Sequence, residues 1–164
     1  RWIKCWDNVV FNNGSTKTGK DSRPEKKILL LAGSPGIGKT TLAHVLAKHA
    51  GYKAVEINAS DDRTASKFKP KIENAIEMRS VFGDCKPNLL IIDEIDGIAN
   101  NEATGVAKVL IDIVNSKTKP IRRPIICICN DPYAPALRNL RKNALLYRLE
   151  KPKTSVLACR LLEI

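Results

Sequence analysis

The strongest chemical signal in the sequence is a glycine-bearing loop that ends in a lysine and two threonines. Gly33-Ser34-Pro35-Gly36-Ile37-Gly38-Lys39-Thr40 matches GxxxxGK[ST] at every fixed position, and Thr41 follows it. The loop lies between the apolar run ILLLA and a helix-forming segment starting near Lys39, the context in which this pattern cradles phosphate. A triphosphate must be wrapped closely enough for backbone N–H groups to point at its oxygens. Gly33, Gly36 and Gly38 remove the Cβ atoms that would block that approach. The helix N-terminus adds its positive dipole end, Lys39 reaches the β/γ oxygens, and the Thr40 hydroxyl can ligate Mg²⁺. The competing reading, a tight glycine-rich turn, does not explain the correct context on both sides.

A second signal is Leu89-Leu90-Ile91-Ile92-Asp93-Glu94, an apolar strand that ends abruptly in two carboxylates. Acids at the carboxyl tip of a buried strand suit a tip that faces a ligand-bound cation. Asp93 is the candidate Mg²⁺ holder and Glu94 the candidate base that polarises an attacking water. Asp96 reads as a helix cap or a solvated loop acid. The third signal is Asn130, just past RPIICIC. Its amide can orient the lytic water and feel the γ-phosphate, or it can serve as an ordinary turn-former in NDP.

Five short runs must supply the strands that position these residues: Lys27–Ala32, Lys53–Ala59, Asn88–Ile92, Pro124–Cys129 and Ala144–Leu149. The first, third and fourth are continuously apolar, as in parallel strands covered on both faces. Helical spacing lies between them. Thr40–Ala50 repeats Leu42, Val45, Leu46 and His49, and Phe68–Val81 repeats Phe68, Ile72, Ala75 and Ile76. Glu102–Ser116 repeats Val106, Val109, Leu110, Ile113 and Val114. Strands alternating with helices predict an α/β layered fold built on a parallel sheet. Residues 12–26 read as a polar, mobile connection, and residues 116–123 as a basic loop. A new helix begins after Lys151.

With 164 residues the chain holds one domain, and 43% hydrophobic residues give it a core. Aromatics are only 5%, so Ile, Leu, Val and Ala must build that core. No apolar run approaches the ~18–20 residues needed to cross a bilayer, which excludes a membrane-spanning helix. RWIKCWDNVV alternates polar and apolar residues and does not read as a cleavable leader. The only methionine is Met78, so the chain reads as a piece of a longer protein.

The net charge is +11, but its distribution says more. Residues 81–115 carry 2 basic and 6 acidic groups, whereas residues 116–164 carry 11 basic and 3 acidic ones. Residues 1–27 carry 7 basic and 3 acidic groups. Basic flanks around an acidic centre suit a polyanion partner, nucleic acid above all, or simply a solvated surface.

Cys5, Cys85, Cys127, Cys129 and Cys159 form no metal-ligand pattern, and Cys127 and Cys129 share one face of a strand. His44 and His49 lie about 140° apart around a helix and cannot share a metal. Neither zinc nor disulfides are expected, and the odd cysteine count points to a reducing compartment.

Taken together, Lys39/Thr40, Asp93/Glu94 and Asn130 resemble the Walker A, Walker B and sensor-1 elements of the AAA+ ATPases, and more narrowly of the clamp-loader (replication factor C) family. INASDDR, Ile57 to Arg63, is similar to that family's N-A-S-D box. IIDEIDG, RPIICICND and the opening WIKCWDNVVF resemble the large subunit of the chromosome-transmission-fidelity type of clamp loader, which acts in sister-chromatid cohesion. The resemblance implies a P-loop NTPase core with a five-stranded parallel sheet between helices. It divides the chain into a lead-in segment and linker (1–26), the ATPase core (27–150) and the start of a truncated helical lid (151–164).

The implied activity is Mg²⁺-dependent ATP hydrolysis in the nucleus, completed by neighbouring subunits. Glu94, Asp93, Lys39 and Asn130 would be catalytic, residues 33–41 would bind ATP, and Thr40 and Asp93 would hold Mg²⁺. The implied partners are the small clamp-loader subunits, a sliding clamp and primer–template DNA, bound without sequence preference. Val9 and Val10 would lie near the base, and Arg63, Lys67, Lys69 and Lys71 would touch DNA phosphates or form a solvated face.

Where small subunits present Ser-Arg-Cys, this chain has Arg141-Lys142-Asn143, and a lysine cannot reproduce the planar fork of a guanidinium. The subunit would therefore receive an arginine finger and not give one, with Arg138 and Arg141 as the possible surrogates. Two alternatives stand beside this reading: a nucleotide-gated structural subunit with little hydrolysis, and another AAA+ DNA-remodelling ATPase. A small-molecule kinase has no need of the DE pair followed by a sensor Asn.

Overall fold

The computed structural model of the chain describes residues 1–11, 23–60, 65–77, 86–96, 100–116 and 120–154, together with residue 158. Three apolar runs become the central strands β1 (Ile28–Ala32), β3 (Asn88–Asp93) and β4 (Ile125–Cys129), buried along almost their whole length. The strands β2 (Lys53–Asn58) and β5 (Ala144–Arg148) carry Lys53, Glu56 and Arg148 and are partly exposed, as suits the two edges of a sheet. All pairs are parallel, in the order β2-β3-β4-β1-β5. This is the expected α/β sheet with strand ends within one residue of the sequence reading.

Side chains alternate across the sheet, so each central strand feeds two cores. One face sends Ile28, Leu30, Leu90, Ile92, Ile125 and Cys127 against the helices α3 (Ala65–Glu77), α4 (Asn100–Asn115) and α5 (Arg138–Asn143). The other face sends Leu29, Leu31, Leu89, Ile91, Ile126 and Ile128 against α2 (Lys39–His49). Cys127 and Cys129 lie together on the first face, as small buried residues.

The expected stripes of α3 and α4 are correct: Phe68, Ile72, Val106, Leu110 and Val114 are all buried. The part of the α3 expectation beyond Glu77 lies outside the described residues. Helix α2 differs from its expected stripe. Its buried residues are Lys39, Ala43 and Ala47, while Val45 is 57% exposed and His49 lies in solvent. Lys39, Ala43 and Ala47 are i, i+4 and i+8, one line along the helix. Once Lys39 must face the sheet edge, that line is fixed, and small residues let the helix lie close.

The lead-in folds as a 3-10 turn, Ile3–Trp6, and a short helix α1 (Asp7–Val10). Trp6 enters one core, Ile3 the other, and the Trp2 indole N–H donates to the Lys26 carbonyl at 2.6 Å. Among the described residues no helix is long and apolar enough to cross a membrane.

The strand order places the working edge. From β1 the chain crosses to the far edge at β2, returns through β3 and β4, and then passes β1 to reach β5. The crevice beyond the carboxyl ends of β1 and β4 is the switch point where ligands of such sheets bind. Ala32, Asp93 and Cys129 end their strands on that side, directly before the three motifs.

Candidate active site

The loop after β1 owes its shape to glycines. A Cβ on Gly33 would stand 2.5 Å from Ile37 Cδ1 and 2.8 Å from the Leu149 carbonyl, so any larger residue must displace the backbone just past β5. Gly38 caps α2 with φ 86, a left-handed conformation that side chains resist.

Lys39, 8% exposed, then turns back under the loop. Its ammonium donates to the carbonyls of Gly33 and Ser34 and to Asn130 Oδ1, each at 2.9 Å. An ammonium can only donate, so its bond fixes the Asn130 amide with oxygen toward Lys39 and the NH₂ group directed away.

Strand β3 delivers the carboxylates. Asp93 Oδ2 accepts the Thr40 hydroxyl at 2.5 Å and Oδ1 accepts the Glu94 N–H at 2.7 Å. Glu94 has φ 54, the sole non-glycine residue among those described with positive φ. That backbone turn ends the strand and leaves the Glu94 side chain exposed. Strain of this kind, of the order of 1–3 kcal/mol, persists where a structure holds it for a purpose.

These groups line one cavity of about 400 Å³, with Pro35, Gly36, Gly38, Lys39, Thr40, Thr41, Asp93, Glu94 and Asn130 on its walls. Gly33 and Ser34 take part through the carbonyls that hold Lys39, and Ile37 folds against Gly33. Residues from three strand ends, remote in sequence, are thus brought together. The arrangement offers backbone and ammonium donors for phosphate, a hydroxyl–carboxylate oxygen pair for a hard cation, and the exposed Glu94 carboxylate beside them.

Two wall residues escaped the sequence reading. Asp96 is more than a solvated loop acid: its Oδ2 accepts the backbone N–H groups of Asn130 and Asp131 at 2.8 and 3.0 Å. The IDEID spacing was its only trace, since the partner lies 34 positions away. Cys129 also lines the cavity. Burial, and then the nearby Asp96 carboxylate, push its thiol up to about 12, so it stays protonated and is no nucleophile at neutral pH.

Other candidates lie elsewhere. Val10 packs against the cores, and neither Val9 nor Val10 lines the cavity. Arg63 lies outside the described residues, and Lys67, Lys69 and Lys71 are exposed on α3. Arg141 is engaged within its own chain: it donates to the Pro132 carbonyl at 3.1 Å and stacks 4.6 Å from the centre of the exposed Tyr133 ring. Arg138 and Lys142 are exposed. His44 pairs with Glu56 at 2.6 Å.

Comparison with known proteins agrees with this geometry. The model of the family described as ATPase family associated with various cellular activities (AAA) matches residues 29–152. The chain is similar to the chromosome transmission fidelity protein 18 homolog of Xenopus laevis, at 46% identity over 100% of this chain and 22% of the relative. Its counterpart in Drosophila melanogaster is 46% identical over 99% of the chain and 22% of the relative. Replication factor C subunit 1 of Oryza sativa subsp. japonica is 36% identical over 99% of the chain and 17% of the relative. The chain spans about a fifth of the length of these curated relatives. Its motifs, sheet order and family match lead to one conclusion: the chain belongs to the AAA family of ATPases, as a relative of the chromosome-transmission-fidelity and replication factor C proteins.

Proposed function

We propose that this chain is the ATP-binding and hydrolysing core of a clamp-loader large subunit that acts in the nucleus, in DNA replication and sister-chromatid cohesion. The observation that carries the proposal is the convergence of Lys39, Thr40, Asp93 and Asn130, hydrogen-bonded in pairs, on one cavity with Glu94 beside them. The names of the relatives, taken from chromosome transmission fidelity and replication factor C, support the choice of machine.

In this reading residues 33–41 bind the ATP phosphates, with Lys39 on the β/γ oxygens. The Thr40 hydroxyl and the Asp93 carboxylate form an all-oxygen pair, the donor chemistry that suits Mg²⁺. The ion would supply neutralisation of phosphate charge. Glu94, on its exposed turn, accepts the proton of the attacking water, and the outward NH₂ group of Asn130 contacts the γ-phosphate end.

Residues 27–150 form the ATPase core, 1–26 the lead-in and linker, and 151–164 the start of a helical lid. The partners are the small clamp-loader subunits, which contribute the arginine finger, a sliding clamp and primer–template DNA. The engagement of Arg141 with Pro132 and Tyr133 of its own chain supports a subunit that receives a finger and does not give one.

The test uses the full-length chain co-expressed with small clamp-loader subunits, as wild type and as Glu94→Gln. Assembly into a ring, with turnover stimulated by clamp and primed DNA and reduced in the mutant, is the expected result. A chain that forms no ring contradicts the clamp-loader assignment. Undiminished turnover in the mutant reduces the site to a nucleotide-gated switch.

A further inference from the structure

The ladder between β3 and β4 ends early. Its last registered pair is Ile92 with Cys127, and one further bond runs from the Ile95 N–H to the Ile128 carbonyl at 3.1 Å. Beyond it β3 has ended and the backbone turns at Glu94, and the N–H groups of Asn130 and Asp131 are met by a side chain. The Asp96 side chain takes over as acceptor. One oxygen, Oδ2, receives both N–H groups, at 2.8 and 3.0 Å. Its other oxygen, Oδ1, is buried and accepts no hydrogen bond from the described residues.

A carboxylate oxygen buried without a partner is costly. What the carboxylate secures is a fixed separation between two functional segments. Asp96 is two residues from Glu94 and three from Asp93, and it grips Asn130 by its own backbone.

The rest of the turn has separate supports. Asp131 Oδ1 accepts the Tyr133 N–H at 2.9 Å, and Arg141 donates to the Pro132 carbonyl at 3.1 Å. Without Asp96 the turn keeps these anchors and Asn130 keeps its side-chain bond to Lys39, but the Asn130 backbone N–H loses its acceptor and its place relative to β3 is no longer fixed.

We propose that Asp96 is a positioning residue for the hydrolytic step: through the backbone of Asn130 it sets the distance between that amide and the Asp93–Glu94 carboxylates. The inference rests on the reading of Asn130 as the group that contacts the γ-phosphate end. A displacement of about 1 Å at a reacting centre costs of the order of 100-fold in rate, whereas the loop that binds the nucleotide is untouched.

The experiment uses the full-length chain in its assembly and compares Asp96→Ala, Asp96→Asn, Asn130→Ala and the double variant Asp96→Ala/Asn130→Ala. ATP affinity, turnover and thermal midpoint are measured for each. The expected result is a fall in kcat of about 10–100-fold for Asp96→Ala, with ATP affinity within about threefold of wild type. Asp96→Asn, whose amide oxygen can still receive the two N–H groups, recovers part of that loss. The double variant is no slower than Asn130→Ala alone.

Slow Asn130→Ala with wild-type turnover in Asp96→Ala overturns the role of Asp96 and leaves that of Asn130 standing. Wild-type turnover in Asn130→Ala overturns the reading of Asn130, and this inference with it. A loss in Asp96→Ala that multiplies with that of Asn130→Ala, and that tracks weakened ATP affinity and a lowered midpoint, makes Asp96 a general support of the fold and overturns the proposal.

Discussion

The Lys39 ammonium donates to Asn130 Oδ1 at 2.9 Å, joining the loop after β1 to the turn after β4. This one bond orients both groups. It fixes which end of the Asn130 amide faces outward, and it draws the lysine along the floor of the cavity. Because β4 lies beside β1 in the sheet, residues 91 positions apart become neighbours without any long loop.

Replacing the amide oxygen by a charge should therefore hold Lys39 too well. Asn130→Asp puts a carboxylate against the ammonium, and a charge-assisted bond is about twice as strong as one to a neutral acceptor. The new negative charge also faces the phosphates. ATP affinity is predicted to fall about tenfold or more, which titration of the full-length chain reads directly. Unchanged affinity would mean that Lys39 is not the phosphate-binding cation.

Glu94 occupies a backbone conformation that asparagine and glycine adopt more readily. Glu94→Asn is predicted to abolish most turnover while leaving stability equal or raised by about 1 kcal/mol. Thermal unfolding and single-turnover hydrolysis on the same preparation check this. A clear loss of stability would show that the Glu94 side chain supports the fold.

Gly33 tests the packing under the loop. In Gly33→Ala the new methyl meets Ile37, which can rotate, and the Leu149 carbonyl, which the bond from the Leu149 N–H to the Ala32 carbonyl at 2.8 Å holds in place. Overpacking of this kind costs about 1–3 kcal/mol. The variant should unfold several degrees below wild type and bind ATP more weakly. A wild-type midpoint would show that the end of β5 yields freely.

The buried Cys129 thiol sets an alkaline limit. An unfolded thiol ionises near 9, whereas burial and Asp96 hold the folded one at about 12. Above pH 9 the unfolded chain binds fewer protons than the folded one, so stability is intact below pH 9 and falls as pH rises toward 12. Buried Tyr52, beside Asp7, shifts in the same direction. The fully buried Cys127 thiol is pushed up by burial as well. Denaturant titrations at pH 8 and 10.5 should show the loss, Cys129→Ala should remove part of it, and Cys127→Ala/Cys129→Ala should remove more. Equal slopes for wild type and Cys129→Ala would contradict the assignment to Cys129.

The phosphate loop, the acidic strand end and Asn130 were legible because each is a local pattern with a fixed spacing. The buried strands were legible as well, since continuous apolar runs mark β1, β3 and β4. What stayed hidden depends on neighbours distant in sequence. The burial of Ala43 and Ala47 in place of Val45 follows from where Lys39 must point, which spacing alone does not reveal. The grip of Asp96 on Asn130 exists only because β3 and β4 pair. The turn at Ile3–Trp6 forms because both faces of the sheet offer the lead-in apolar ground.

The most direct test of the central claim is single-turnover ATP hydrolysis at this site alone. It uses a ring in which the partner subunits carry inactivated phosphate loops and the full-length chain is either wild type or Glu94→Gln, with Lys39→Ala as the binding control. The account predicts that Glu94→Gln retains ATP but cleaves it about 100-fold or more slowly, while Lys39→Ala fails to bind it. Cleavage at the wild-type rate in Glu94→Gln would contradict the account.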